Sequence, residues 1–143
     1  HDIKAYMDDF DHSANKVGAV NVVKINLDGT RTGFNSDYYG FRTSLESWLP
    51  KDFSSGAMVL GIGGAAKAVM AVLDDLSVNY IKISRDTTKG DLDYKSLKAN
   101  PDLLQEHKLI INTTPLGMSP DTDACPALDY SLMDGSCYLY DLI

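Results

Sequence analysis

VLGIGGAAKAVMAVL, residues 59–73, places three glycines (Gly61, Gly63 and Gly64) between a strand-like apolar run and a helix-like one. Glycine loses more conformational freedom on folding than any other residue. Its concentration here has two readings: a turn that is merely tight, or a backbone that something must approach closely. A turn that follows a strand and opens a helix aims bare N–H groups and the positive helix end at one point. That point suits an anion such as a dinucleotide pyrophosphate. The spacing departs from plain G-x-G-x-x-G, with Gly64 and Ala68 taking the close-packing roles around Ala65 and Ala66.

The flanking sequence supplies the setting. Apolar runs predict strands over 57–60, 80–84, 108–112 and 138–143, with helices over 65–76 and 94–100 between them. Short apolar strands alternating with helices predict an α/β fold: a Rossmann-like parallel sheet with helices on both faces. Upstream, residues 5–17 have loose helical spacing. AVNVVKINLDGTRTGFN reads as a hairpin around Asp28–Gly29. SDYYGFRTSLESWL reads as a helix with Phe41, Leu45, Trp48 and Leu49 on one face. The chain therefore divides between a small α/β fragment, 1–36, and a Rossmann-like domain, 37–143.

Composition narrows the function classes. The 143 residues are 44% hydrophobic and 23% charged, with a net charge of −7 and no basic run. That balance argues against a nucleic-acid partner. No apolar stretch reaches the roughly 18 residues of a membrane span. HDIKAYMDDF carries acids where a signal peptide carries bases, and a chain starting at His is expected to be part of something longer. Cys125 and Cys137 form no CxxC and read as reduced thiols of a cytoplasmic protein. His1, His12 and His107 share no metal spacing and are expected to be solvated, so no metal site is predicted. Asp8, Asp9 and Asp11 read as one acidic helix face.

The choice of dinucleotide falls to the end of the second strand, roughly 20 residues past the glycines. An acid there suits the ribose hydroxyls of NAD, and an arginine suits the 2′-phosphate of NADP. YIKISRDTTKG offers Ser84, Arg85 and Lys89, with Asp86 between them. A guanidinium can hold a phosphate bidentately and stack on adenine, so NADP is preferred. Asp86 leaves NAD open, and an exposed loop of mixed charge is the bland alternative.

VGAVNVV, DG, GFNSDYYGF, VLGIGGAAKAV, IINTTPLGM and YDLI, in that order, resemble the successive motifs of the shikimate dehydrogenase family across essentially the whole chain. The resemblance implies an NADPH-dependent reduction of 3-dehydroshikimate to shikimate in a cleft between two α/β domains. It implies that Asn21 binds substrate hydroxyls. It implies that Asp37 binds substrate and pairs with a catalytic lysine. Gly61, Gly63, Gly64, Ala65, Ser84, Arg85 and Lys89 then hold the cofactor, Asn112 and Thr114 lie along it, and Leu142 packs near the nicotinamide. The family's usual NRT reads Ser84–Arg85–Asp86 here. Its lysine falls just before His1, its carboxylate-binding serines lie further upstream, and its closing helices follow Ile143. The chain alone is therefore expected to be inactive. A quinate dehydrogenase using NAD and a non-catalytic dinucleotide-binding module are the alternative readings.

The chemistry of ketone reduction places negative charge on oxygen, so a donor must reach it. Asp37 is half of a lysine–carboxylate pair that could serve, or it is simply the N-cap of the following helix. NTTPLGM falls where open α/β sheets bind ligands, beyond strand carboxyl ends. Met118 reads as packing, and Tyr38, Tyr39 and Phe41 as core and cleft wall.

Overall fold

A computed structural model describes residues 3–142; the readings for His1 and for the strand end at Ile143 lie outside the described residues. After a 3-10 turn at Ile3–Tyr6 come β1 (Asp9–Phe10), α1 (His12–Val17), β2 (Val22–Ile25) and β3 (Arg31–Phe34). Next follow α2 (Ser36–Trp48), β4 (Ala57–Leu60), α3 (Gly64–Asp75), β5 (Tyr80–Ile83) and α4 (Tyr94–Ala99). The chain ends with α5 (Leu103–Glu106), β6 (Leu109–Asn112), a 3-10 turn at Tyr130–Leu132 and β7 (Tyr138–Asp141).

Two sheets form. β3 lies between β1, parallel, and β2, antiparallel. The second sheet is wholly parallel in the order β5-β4-β6-β7, with Leu60 opposite Ile83 on one side and Asn112 on the other. β4 is buried along its length because the pleat sends alternate side chains to opposite, covered faces. Ala57 and Val59 join Leu109, Ile111 and the buried stripes of α2 and α3. Met58 and Leu60 join Ile83, Ile110, Leu97 of α4 and Leu104 of α5. The α/β, Rossmann-like reading is thus observed, with helices on both faces.

Helix α2 starts at Asn35, whose side chain accepts from Tyr38 N at 3.2 Å, and Pro50 follows its end. It buries Tyr38, Phe41 and Leu45. Trp48 stays 39% exposed, because its ring stacks on Tyr138 and Tyr140 at the sheet edge instead of entering the core. At the rear of the molecule Asp75, at the end of α3, ties three helices together. It accepts from Lys16 Nζ of α1 (2.7 Å) and Tyr38 Oη of α2 (2.5 Å), and His12 Nε2 lies 3.3 Å away.

Several local expectations fail near the N-terminus. Residues 5–17 are not one helix: a two-residue strand pairs with β3, and Asp11 caps α1 through Ala14 N. The three aspartates share no helix face, since Asp8 pairs with Arg31 and Asp9 sits in β1. His12 is exposed as expected, whereas His107 is half-buried. His12 faces Asp75, and His107 Nδ1 lies 2.9 Å from Leu103 O with its ring packed over Gly56.

Candidate functional site

In the order β5-β4-β6 the chain crosses to one side of β4 and then to the other, so the loops after β4 and β6 part at a switch point. Ligands of open α/β sheets bind at such points. The loops are laced together here. Thr113 donates to Leu60 O through both N (2.9 Å) and Oγ1 (2.7 Å), and Gly61 N donates to Ile83 O. Gly61 has φ +100°, and a Cβ on it would stand 2.8 Å from Thr113 Oγ1. The tight-turn reading is therefore correct at Gly61.

It does not account for the other two glycines. A Cβ on Gly63 or Gly64 would meet no atom within 4 Å, and neither has a positive φ. Gly63 is the N-cap of α3 at φ −76°, and no side chain caps the helix. The unsatisfied N–H groups and the positive end of a twelve-residue helix thus open on free space.

That space is a groove with two lobes of about 530 Å³ each, sharing Thr113, Thr114 and Pro115 as a common wall. Gly61, Gly63, Ser84, Arg85 and Tyr94 line one lobe. Asp37, Ala65, Met118, Tyr140 and Leu142 line the other. Both volumes suit a small-molecule ligand. Of the residues singled out in the sequence, Gly61, Gly63, Ala65, Ser84, Arg85, Thr114, Leu142 and Asp37 are brought together here, with Gly64 at the helix start beside them. Met118 is 52% exposed in the wall and does not pack in the core.

Around β5, Ser84 is buried, and its Oγ accepts from Asp86 N at 3.1 Å. Asp86 turns into its own loop. Its Oδ1 accepts from Thr88 N (3.0 Å) and Thr88 Oγ1 (2.6 Å), and its Oδ2 lies 3.5 Å from Lys89 Nζ. The bonds from Thr88, reinforced by Lys89, hold the Asp86 carboxyl below its ordinary value. Lys89 consequently does not line the groove, whereas Arg85 does.

Asn112 is tied into the loop that follows its own strand. Its Oδ1 accepts from Thr114 N (3.0 Å) and Thr114 Oγ1 (2.6 Å). Its Nδ2 donates to Asp141 Oδ1 (3.1 Å) and Leu116 O (3.3 Å). With four bonds made and 7% exposure, Asn112 lies outside the lining and shapes the loop that forms the shared wall.

Asp37 is not the N-cap of α2, because Asn35 holds that position. The Asp37 carboxylate makes no hydrogen bond or ion pair among the described residues and lines the groove from the first turn of α2. Beside it, Asn21 Oδ1 accepts from Ser36 N at 2.8 Å and Ser36 Oγ at 3.3 Å, which spends the oxygen but leaves Nδ2 to donate. Sequence reasoning missed Thr113, Tyr94 and Cys125. Thr113 alone had a signal, a second hydroxyl in IINTTPLGM next to the strand end.

The parallel sheet and its switch-point groove place the chain in the Rossmann-like α/β class. No family model matches the chain. A curated shikimate dehydrogenase (NADP(+)) of Symbiobacterium thermophilum is 34% identical, covering 99% of this chain and 53% of the relative. The crystal structure of shikimate dehydrogenase from Aquifex aeolicus superposes with a TM-score of 0.79 at 28% identity, over 99% of this chain and 54% of the other. The Thermus thermophilus shikimate 5-dehydrogenase, solved in complex with NADP(H) and shikimate, superposes with a TM-score of 0.74 at 26% identity, again over 99% and 54%. By sequence and by fold the chain is similar to shikimate dehydrogenases, and it spans about half the length of the curated relatives it matches.

Proposed function

We propose that the groove takes NADPH, and that the chain is the cofactor-binding part of an enzyme that reduces 3-dehydroshikimate to shikimate. In this reading 1–36 end the substrate domain and 37–143 form the cofactor domain. The observation that carries it is the Gly63–Gly64 pair, which nothing in the protein's own packing requires, at an uncapped helix end facing a groove. The backbone of Gly61, Gly63, Gly64 and Ala65 would hold the pyrophosphate. Arg85, backed by Ser84, would hold the 2′-phosphate, and Lys89 would add charge from outside the lining. Thr114, held by Asn112, and Leu142 would wall the nicotinamide end. Binding of NAD through Asp86 would first have to break its bonds to Thr88 and Lys89.

NADPH, when bound, supplies the hydride for ketone reduction. Asp37, open to the groove at the far end from Arg85, would accept a hydrogen bond from a substrate hydroxyl, and Asn21 Nδ2 would donate one. The oxygen that gains charge needs a donor, a part an ionised carboxylate cannot play. In the family this chain resembles, a lysine paired with the matching aspartate plays it.

Calorimetric titration of the chain with NADPH and NADH tests the reading. NADPH is expected to bind tighter by about 10-fold to 100-fold, the range for charge-assisted hydrogen bonds to a phosphate. Arg85→Ala should erase that preference while leaving NADH affinity unchanged. Equal or tighter NADH binding by the unaltered chain overturns it.

A further inference from the structure

The Arg85 lobe of the groove holds one aromatic side chain among the described residues that line it, Tyr94. Tyr94 is the first residue of α4, and its backbone is fixed on both sides. Asp93 caps the helix by accepting from Ser96 N at 2.6 Å, and Leu97 anchors it in the core at 3% exposure. Behind Tyr94 lies another cavity, of about 540 Å³, floored by Leu97 and Leu104, and Tyr94 and Ala127 form the partition between it and the groove. The ring packs against the edge of the core cluster of Met58, Leu60, Ile83 and Leu97, and its remaining surface borders the two cavities. Its hydroxyl has no hydrogen-bond partner among the described residues. Burial holds that phenol above its ordinary value, and the nearby Arg85 charge pulls it the other way. Tyr94 therefore offers a half-buried π surface, its hydroxyl free of hydrogen bonds among the described residues, close to the guanidinium that faces the groove.

We propose that Tyr94 is the base-recognition residue of this groove, stacking on the adenine ring of the nucleotide whose 2′-phosphate Arg85 holds. The inference rests on the NADPH reading above and adds to it a residue that no motif in the sequence marked. A purine is the ligand chemistry that fits: planar, rich in π electrons, and tied to a phosphate within reach of a guanidinium.

The test compares the unaltered chain with Tyr94→Ala, Tyr94→Phe and Tyr94→Leu. Each is titrated with NADPH, adenosine 2′,5′-bisphosphate and reduced nicotinamide mononucleotide, and circular dichroism checks the fold. Tyr94→Ala is expected to weaken NADPH and the bisphosphate by the same factor, about tenfold, and to leave the mononucleotide unchanged. Tyr94→Phe should stay within about twofold of the unaltered chain, because it keeps the ring. The 1,N6-etheno derivative of the bisphosphate adds a spectroscopic reading. Its emission should be quenched on binding to the unaltered chain and to Tyr94→Phe, and not to Tyr94→Leu, which keeps apolar bulk without a π face. Unchanged bisphosphate affinity in a folded Tyr94→Ala, or an equal loss for the mononucleotide, overturns the role of Tyr94 alone. Failure of the unaltered chain to bind NADPH overturns the cofactor reading and this one with it.

Discussion

Gly64→Ala separates what the fold needs from what the groove needs. Gly64 opens α3, its φ is not positive, and a Cβ there meets nothing within 4 Å. Alanine at such a position stabilises a protein by about 0.4–1 kcal/mol, chiefly by narrowing the unfolded ensemble. For a chain of this size that corresponds to a Tm higher by roughly 1–4 °C. If the Gly64 backbone holds the pyrophosphate as proposed, the same methyl group stands in its way, and NADPH affinity should fall by at least about fivefold, the lower end of an overpacking cost. Gly61→Ala should behave differently. At φ +100°, with a Cβ 2.8 Å from Thr113 Oγ1, it strains the backbone and presses on the hydroxyl that binds Leu60 O. Strain of about 1–3 kcal/mol plus overpacking of similar size makes it a destabilising change. Differential scanning calorimetry gives the stabilities and isothermal titration the affinities. A Gly64→Ala chain that gains stability and binds NADPH as well as before would refute the assignment of this space to a ligand.

Two other substitutions probe the supports of the site. Asn35→Ala removes the cap of α2 and a buried amide that also donates to Ala19 O (3.2 Å), and should cost about 1–3 kcal/mol in a urea titration. Asp37→Ala, two residues on, should cost only about 0.3–1 kcal/mol through the helix dipole; an equal loss would make Asp37 a structural residue. Asp75→Asn addresses pH. Lys16, Tyr38 and His12 hold the Asp75 carboxyl far below its ordinary 3.8, against a smaller opposing effect of desolvation. A carboxyl whose folded value is depressed contributes stability above its unfolded value and loses it as pH falls below that value. The unaltered chain should therefore be the more stable of the two at pH 7, with the gap closing as pH falls below 3.8. Parallel urea midpoints for both chains across the acid range would contradict this.

The parallel sheet was legible because its strands are buried on both faces. AMVL and LIIN read as unbroken apolar runs, and the observed β4 and β6 fall on them. The N-terminal stretch was opaque for the opposite reason. β1 is two residues long and exists only through its register with Thr32 and Gly33, a non-local pairing that leaves no period in the local sequence. α5 and the turn at Tyr130–Leu132 are likewise too short to carry a pattern. The sequence left a cap at Asp37 open as an alternative because Asn35 and Asp37 are both good caps, and only backbone geometry decides which accepts the Tyr38 amide.

Around the groove, the residues the motifs single out differ in how far neighbours saturate their side chains. The sequence marks Asn112 and Asp86 as strongly as it marks Arg85 and Asp37, since all four stand at strand ends or helix starts facing the switch point. Polar satisfaction tells them apart. Asn112 spends its amide on Thr114, Leu116 and Asp141, and Asp86 spends its carboxylate on Thr88 and Lys89. Asp37 makes no such bond among the described residues, and the Arg85 side chain forms no ion pair among them. A buried polar group left without a partner carries a desolvation cost, so fold-building residues complete their bonds internally. Residues reserved for a ligand keep theirs open at the surface of a groove. The division places a cation at one end, a carboxylate at the other, and a bare helix N-terminus between them. A dinucleotide carrying a third phosphate, with a hydroxylated substrate beyond it, presents complementary chemistry in that same order.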